Sequence, residues 1–440
     1  METNDALQLD QNYKTAYAIS AGNGLDGDYH EFSITHDQTA LIIAYVKTPF
    51  DLLSKGRQDG YIWDCVFQEL EIETNRVIFE WRASDHYKID DMTVDSWSAW
   101  TGTEEDPFDW FHLNSVEKDR QGNFLLASRY MGAVFLVSNE TGETLWTVGG
   151  ELGNFIDLAE GNATKIVDPQ MARWANNGTA ITLFDNVAFW SYEKKEKQSH
   201  AIKLDLNMET RIVKVNTEFL HPAKILARTG GSIHQLDNGH WLVGYGSTPV
   251  ASEFSSEGEF LCDTHYGPLN APHEAGSDGV PREAYRVFKQ AWAGFPEEAP
   301  KVRIVEQQMF VTWNGATEVR SWKLEGRNWS RRKWSPLGTV DKFHFETAIS
   351  VHDDSLLEFQ LTALDEDEEV LGAWFLERDG RLAVSRLYPM YRWQLIQFKA
   401  MYTEPIQKDR NSYMRSLGWA TLCTSFLLLI ILNRRTLLVR

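Results

Sequence analysis

The sequence predicts an all-β protein whose larger part is a β-propeller, and three observations carry this. Apolar segments are short and rich in Trp, Tyr, Phe and β-branched residues, with Gly and Asn between them; 12% of the 440 residues are aromatic, 17 of them Trp. Such composition favours strands over helices. The segments fall in groups of four, and the groups recur at roughly 40 to 60 residues, the size of one propeller blade.

The most regular group runs from Asp109 to Gly150, with turns at Gln121-Gly122-Asn123, Tyr130-Met131-Gly132 and Asn139-Glu140-Thr141-Gly142. Before it, after polar residues 1–29, strands are expected at His30–Ile34, Ala40–Val46, Tyr61–Leu70 and Arg76–Trp81, with a long loop over Lys47–Gly60 and an acidic, Trp-containing excursion over residues 82–108. After a loop or short helix at 151–168, further groups begin at Gln170 and Ser232, with tight turns such as Asp237-Asn238-Gly239. From Val302 the spacing shifts to hairpins marked by Asn314-Gly315 and the acidic turn Asp365–Glu369, which reads as a small β-sandwich. That turn lacks a calcium-loop pattern and reads as solvated.

Residues 385–412 are expected to form a helical stalk leading to Leu417–Leu432, an uncharged apolar run that at roughly 1.5 Å per residue covers about 24 Å, a short membrane span. Basic residues flank both sides, so charge does not orient it. The division is therefore propeller 1–295, sandwich 296–384, stalk 385–416, transmembrane helix 417–433 and basic tail 434–440.

The net charge of −20 would repel phosphate backbones, so no nucleic-acid partner is expected. Cys65, Cys262 and Cys423 are too few and scattered for a metal motif or disulfide framework, and only Cys65 and Cys262 could pair. No metal or cofactor is expected. Glycosylation sequons stand at Asn139, Asn162, Asn177 and Asn328, beside predicted turns.

Within the regular group, His112 and Asn114 are two apart, so on a strand they would share a face, and Arg129 closes the next strand. Imidazole, amide and guanidinium converging there would form an anion site. The alternative is that His112 and Asn114 satisfy buried backbone groups and Arg129 meets a carboxylate.

Asp109-Trp110-Phe111-His112-Leu113-Asn114-Ser115-Val116, with Ala127-Ser128-Arg129 and Trp146-Thr147-Val148-Gly149-Gly150, resembles the signature of the fungal-type arylsulfotransferase family. So do Asp28-Tyr29-His30-Glu31-Phe32, Leu183-Phe184-Asp185-Asn186, Gly231-Ser232 with Gln235, Ser252-Glu253-Phe254, Tyr285-Arg286-Val287 with Trp292, and Trp313-Asn314-Gly315-Ala316-Thr317. The resemblance spans roughly residues 10–380.

It implies a six-bladed propeller that moves a sulfuryl group from one phenolic ester to another phenol without a nucleotide donor, through a transiently sulfated histidine. By motif, His30, His112, Asn114 and Arg129 stand at the family's anion-binding positions. Two departures follow. The block holding the family's nucleophile is here Gln170-Met171-Ala172-Arg173, so Met171 stands in place of histidine, and a thioether cannot carry a double displacement. The signal sequence and first strands usual in the family do not precede Leu9–Gly24, so an incomplete propeller, from a truncated gene, is expected.

The resulting expectation is a single-pass membrane protein, its propeller luminal or extracellular, that has lost sulfotransfer and binds a phenolic or aryl sulfate ligand, or another small anionic or aromatic partner. The alternatives are an active sulfotransferase using another histidine, and a structural or adhesive scaffold.

Overall fold

The computed structural model describes residues 6–94, 99–158, 160–187, 198–267, 283–328, 333–378 and the backbone of 382–384. The expected stalk, transmembrane helix and basic tail lie outside these residues. Among the described residues no helix is long and apolar enough to cross a membrane. Chain contacts divide into two compact units, one up to Phe295 and one from Pro296.

The first unit is a succession of antiparallel sheets. A hairpin of β1 (Ala6–Leu9) and β2 (Thr15–Ile19) is followed by a sheet of β3 (Asp28–Ile34), β4 (Thr39–Leu52), β5 (Arg57–Glu71) and β6 (Val77–Arg82), with β7 (Phe108–Asp109) on β5. Next come β8 (Leu113–Lys118), β9 (Phe124–Ser128), β10 (Ala133–Val137) and β11 (Thr144–Gly149). The third sheet holds β12 (Ile156–Asp157), β13 (Pro169–Ala175), β14 (Ala180–Asp185), β15 (His200–Asn207) and β16 (Ile212–Phe219). The fourth holds β17 (Ser232–Gln235), β18 (Trp241–Gly244), β19 (Val250–Phe254) and β20 (Phe260–His265). Each is a meander of the blade type, and the first strands of successive sheets, β3, β8, β13 and β17, lie side by side.

The sheets stack face to face through apolar layers. Leu41, Ile43, Phe67 and Trp81 of one sheet meet Val116, Phe124 and Phe135 of the next. Trp146 and Val148 meet Leu183 and Leu204, and Phe184 and Phe219 meet Trp241 and Tyr245. Full burial of side chains this size stabilises by roughly 1.5–3 kcal/mol each, and alternation along the strands supplies them to both faces. Gly231 sits where only glycine fits: φ is +130°, and a Cβ there would lie 2.2 Å from the ring of Phe184.

The expected loop over Lys47–Gly60 is instead mostly strand. β4 and β5 continue as a long hairpin with Lys47 opposite Trp63 and Thr48 opposite Ile62, turning through a short 3-10 segment at Leu53–Lys55. Its polar residues point outward beyond the blade, so a paired ribbon carries the composition of a loop. In the 82–108 excursion, Tyr87 and Ile89 pack into the first apolar layer. Cys65 is buried and Cys262 exposed, both as free thiols, so the only pairing open to them does not form.

The second unit has two antiparallel sheets, β21 (Lys301–Val305), β22 (Gln308–Thr312) and β25 (Glu346–Ser350), and β24 (Ser335–Asp341), β23 (Ser321–Arg327), β26 (Glu358–Leu364), β27 (Val370–Glu377) and β28 (Leu382–Val384). Trp313, Trp322 and Trp374 form the heart of its core. The acidic turn joins β26 to β27, with Asp365 Oδ1 accepting from the N–H groups of Asp367 and Glu369. Among the described residues no group of three or more His, Cys, Asp or Glu could hold a metal ion.

Candidate active site

The first strands of three sheets are interrupted at their starts. In β3 the register slips between Asp28 and Phe32, in β8 between Leu113 and Ser115, and in β13 between Gln170 and Arg173. Such bulges re-aim side chains out of the ladder. His112 (φ +52°) and Met171 (φ +46°) are held here in the left-handed region, which bulky residues seldom adopt without surrounding constraint. His112 therefore precedes the strand rather than lying on it, and it does not share a strand face with Asn114.

The bulges bring two imidazoles together. The rings of His30 and His112 meet edge to face with centroids 5.0 Å apart. Each Nδ1 faces a carboxylate: Asp28 for His30, and Asp109 Oδ2 at 2.5 Å for His112. Among the described residues neither Nε2 is hydrogen-bonded. An acceptor at Nδ1 fixes the proton there and presents Nε2 as a lone pair. Burial pushes the His30 pKa down, against the opposing pull of Asp28, so this ring is neutral at neutral pH.

Four tyrosines surround the pair. Tyr29 stacks on His30 at 4.3 Å, Tyr45 and Tyr285 lie 5.3 and 5.5 Å from it, and Tyr130 lies 5.5 Å from His112. Tyr29 is 75% exposed while Tyr45 and Tyr285 are half-buried, and burial raises the pKa of each of those two phenols. Their hydroxyls stay protonated and already donate within the protein, Tyr45 Oη to the Leu113 carbonyl at 3.0 Å and Tyr285 Oη to Gln170 Oε1.

Arg129 follows β9, and its N–H donates to the His112 carbonyl at 2.9 Å, which brings the two residues to one place. Its guanidinium meets Asp168 at 3.1 Å. Burial raises the Asp168 carboxyl to about 6, against the opposing effect of Arg129. Asn114 takes a different part: its Nδ2 donates to the Pro169 carbonyl at 3.0 Å, tying β8 to β13. The carboxylate reading of Arg129 and the backbone reading of Asn114 thus describe contacts that are present. Met171 is buried on its bulge between Gln170 and Ala172, and the Ala172 N–H donates to Ser115 Oγ.

Beneath the imidazoles lies a charged cluster that sequence reasoning did not assign to the site. Glu31, fully buried, accepts from Arg173 Nη2 at 2.8 Å, Arg286 Nη1 at 2.6 Å and the Val116 N–H at 3.1 Å. Burial alone would raise its pKa, but the two guanidiniums hold it below the usual value. Arg286 Nη2 also donates to the carbonyls of His30 and Asn114, at 2.8 and 2.9 Å. Tyr285 Oη donates to Gln170 Oε1 at 3.2 Å, and Gln170 Nε2 to Asp168. The segment 283–289 thus fastens the starts of β3, β8 and β13 to one another. The available signal was ionisable residues inside apolar segments, as at Phe32-flanked Glu31 and at Arg286 between Tyr285 and Val287.

The sequons divide by exposure: Asn139, Asn162 and Asn177 are exposed, and Asn328 is half-buried.

Solved structures resemble the chain only loosely. The β-propeller domain of Cps50 (Swd1) from Myceliophteria thermophila is 10% identical, covers 83% of this chain and 88% of its own, and superposes with a TM-score of 0.28. A putative 6-phosphogluconolactonase from Bacteroides uniformis is 11% identical, with coverage of 86% and 89% and a TM-score of 0.33. A catalytically inactive virginiamycin B lyase from Staphylococcus aureus is 9% identical, with 87% coverage of both and a TM-score of 0.32. Superpositions this loose carry no weight for the chemistry. Comparison with curated proteins gives no match. The profile of the family described as Arylsulfotransferase (ASST) matches residues 6–267, a span holding every bulged strand start and both imidazoles. On that match, which takes in more than half of its length, the chain belongs to the arylsulfotransferase family.

Proposed function

We propose that the site at the starts of β3, β8 and β13 binds a small aryl sulfate, and that the chain does not run the family's double displacement. The observation that carries this reading is the convergence of His30, His112 and Arg129 inside a wall of tyrosines; the loss of displacement rests on the resemblance, by which Met171 stands in place of the nucleophilic histidine. Sulfate oxygens would take hydrogen bonds from Arg129, and the ring would lie against Tyr29 and Tyr130. Phenyl sulfate is expected to raise the melting temperature of the full chain, and His112→Ala or Arg129→Ala to remove the rise. An unchanged melting temperature with native protein rejects the reading.

A second reading has its own support in the carboxylate behind each imidazole, the arrangement that readies a histidine for attack. In it, His112 Nε2 attacks sulfur, the aryl S–O bond breaks and phenolate leaves. Asp109 stabilises the charged ring until an acceptor phenolate takes the sulfuryl group and restores the imidazole. Transfer from a chromogenic phenyl sulfate to phenol, lost in Asp109→Asn, supports it; no turnover by full-length protein removes it.

The same proposal places the protein on a membrane through residues 417–433, with the first unit on the luminal or extracellular side. Deleting 417–440 is expected to release it to the soluble fraction, and enzymatic deglycosylation to shift its mass through Asn139, Asn162 or Asn177.

A further inference from the structure

Of the four first strands that lie side by side, β3, β8, β13 and β17, the first two bring the imidazoles together, and each does so at a slip in register. His30 lies inside the slip of β3, between Asp28 and Phe32, and Asn114 inside that of β8, two residues after His112. A slip takes a carbonyl out of the ladder, and a buried carbonyl then needs another donor. Here one nitrogen serves both: Arg286 Nη2 donates to the His30 carbonyl at 2.8 Å and to the Asn114 carbonyl at 2.9 Å. We propose that Arg286 is a positioning residue, whose guanidinium sets the spacing of the His30 and His112 rings and so the affinity of the site for an aryl sulfate; this rests on the reading given above for that site.

Two features separate this role from that of a guanidinium that only neutralises Glu31. An arginine serving a carboxylate alone turns two parallel N–H groups to its two oxygens. Arg286 gives Glu31 a single bond, Nη1 to Oε1 at 2.6 Å, and its Nε–H is buried with no acceptor among the described residues. The orientation that leaves Nε unpaired is the one that puts Nη2 between two carbonyls. The second feature is an excess of charge: Arg173 Nη2 already pairs with Oε2 of Glu31 at 2.8 Å. One cation would balance one carboxylate, so the second is held for what its nitrogens reach. They reach the backbone on both sides of the imidazole pair, whose rings meet edge to face at 5.0 Å. A planar fork with fixed donor directions holds such a spacing; the ammonium of a lysine, a point charge on a flexible stem, does not.

The test compares the full native chain with Arg286→Lys, which keeps the charge without the fork, and Arg286→Gln, which leaves Glu31 balanced by Arg173 alone. Val213→Ala, in the second apolar layer, supplies a destabilised control away from the site. Two quantities are read in each folded variant: calorimetric affinity for phenyl sulfate, and titration of the His30 ring by NMR with isotope-labelled histidine. His30 faces Asp28, Asp109 and His112; burial lowers it from its ordinary 6.5, with His112 adding to this and the carboxylates opposing.

Both arginine variants are expected to bind phenyl sulfate about tenfold or more weakly and to titrate His30 closer to 6.5, whereas Val213→Ala changes neither. Either native affinity or an unmoved His30 titration in folded Arg286→Lys overturns the proposal, and so does an equal loss in Val213→Ala, which would reduce the effect to stability. If Arg286→Lys does not fold, Arg286→Gln is read by the same criteria. Failure of the native protein to bind phenyl sulfate rejects the reading of the site, but the histidine titration needs no ligand and still decides whether Arg286 positions the pair.

Discussion

The same four strands end in two different kinds of place. At their starts the ladders of β3, β8 and β13 break, two residues take left-handed backbone, and Asp28, His30, Asp109, His112, Arg129 and Asp168 crowd together. At their finishes the ladders run without a slip, as in Arg173 opposite Thr182 and Trp174 opposite Ile181, and the space between them is open. Regular pairing keeps side chains on alternate faces, so it can line a cavity but cannot gather several ionisable groups at one point. Gathering them takes bulges, and bulges give up ladder bonds that must be replaced. Here the replacements are side chains: Ser115, Glu31 and Asn114 each bond the backbone of a neighbouring strand.

The cluster between the two ends gives the largest expected effect. Glu31→Gln removes the charge that bridges Arg173 and Arg286, leaving two largely enclosed guanidiniums short of a partner, and should cost about 3–5 kcal/mol in urea unfolding. A variant of native stability would show that the ends do not depend on this cluster.

Met171→His probes the bulged end alone. Histidine is several-fold commoner than methionine in left-handed backbone, so the φ of +46° is a conformation that the replacement accepts more easily. The variant is expected to fold with little change in stability and to gain transfer from phenyl sulfate to phenol. A folded variant without turnover would mean that more than this side chain separates the chain from the family's chemistry.

A smaller effect should come from pH. Asp168 titrates at about 6, so below that value it no longer neutralises Arg129. Phenyl sulfate binding should therefore tighten several-fold between pH 7.5 and 5.5, and Asp168→Asn should flatten the profile. Of the neighbouring groups, Glu31 is held low by its two guanidiniums, and burial lowers the His30 imidazole. In stability the sign is that of a raised acid: its contribution is full below the ordinary value of 3.8 and is lost as the pH rises through about 6. A pH-independent affinity would detach Asp168 from binding. Last, Tyr29→Ala, at a largely exposed position, should change stability by less than about 0.5 kcal/mol and weaken the aryl ligand only modestly.

The two ends were unequally legible in the sequence. Four-strand grouping and turn residues located the last three strands of the second sheet almost to the residue, because apolar runs such as Ala133–Val137 are bounded by Gly and Asn, while the first begins at Leu113 rather than Asp109. The long β4–β5 ribbon was not legible: it alternates and buries Leu52 and Ile62, but Lys47, Thr48, Pro49 and Asp51 give its sequence the composition of a loop. At the bulged end His30, His112 and Arg129 stood out through resemblance, but their partners did not. Glu31 reaches Arg173 across 142 positions and Arg286 across 255, and nothing local announces a pairing at such range. Bulges compound this, because the period-2 rule that would assign a face fails where the register slips.

The reach of Arg286 has a consequence for how the protein is made. It donates to the carbonyl of a residue 256 positions earlier, so until that guanidinium has left the ribosome, Glu31 and the His30 backbone lack their final partner. The sheets can stack in order of synthesis, each on its predecessor. The imidazole site cannot close in that order: it is complete only when nearly the whole first unit has emerged, and a nascent chain stopped before Arg286 would hold stacked sheets around an unfinished centre.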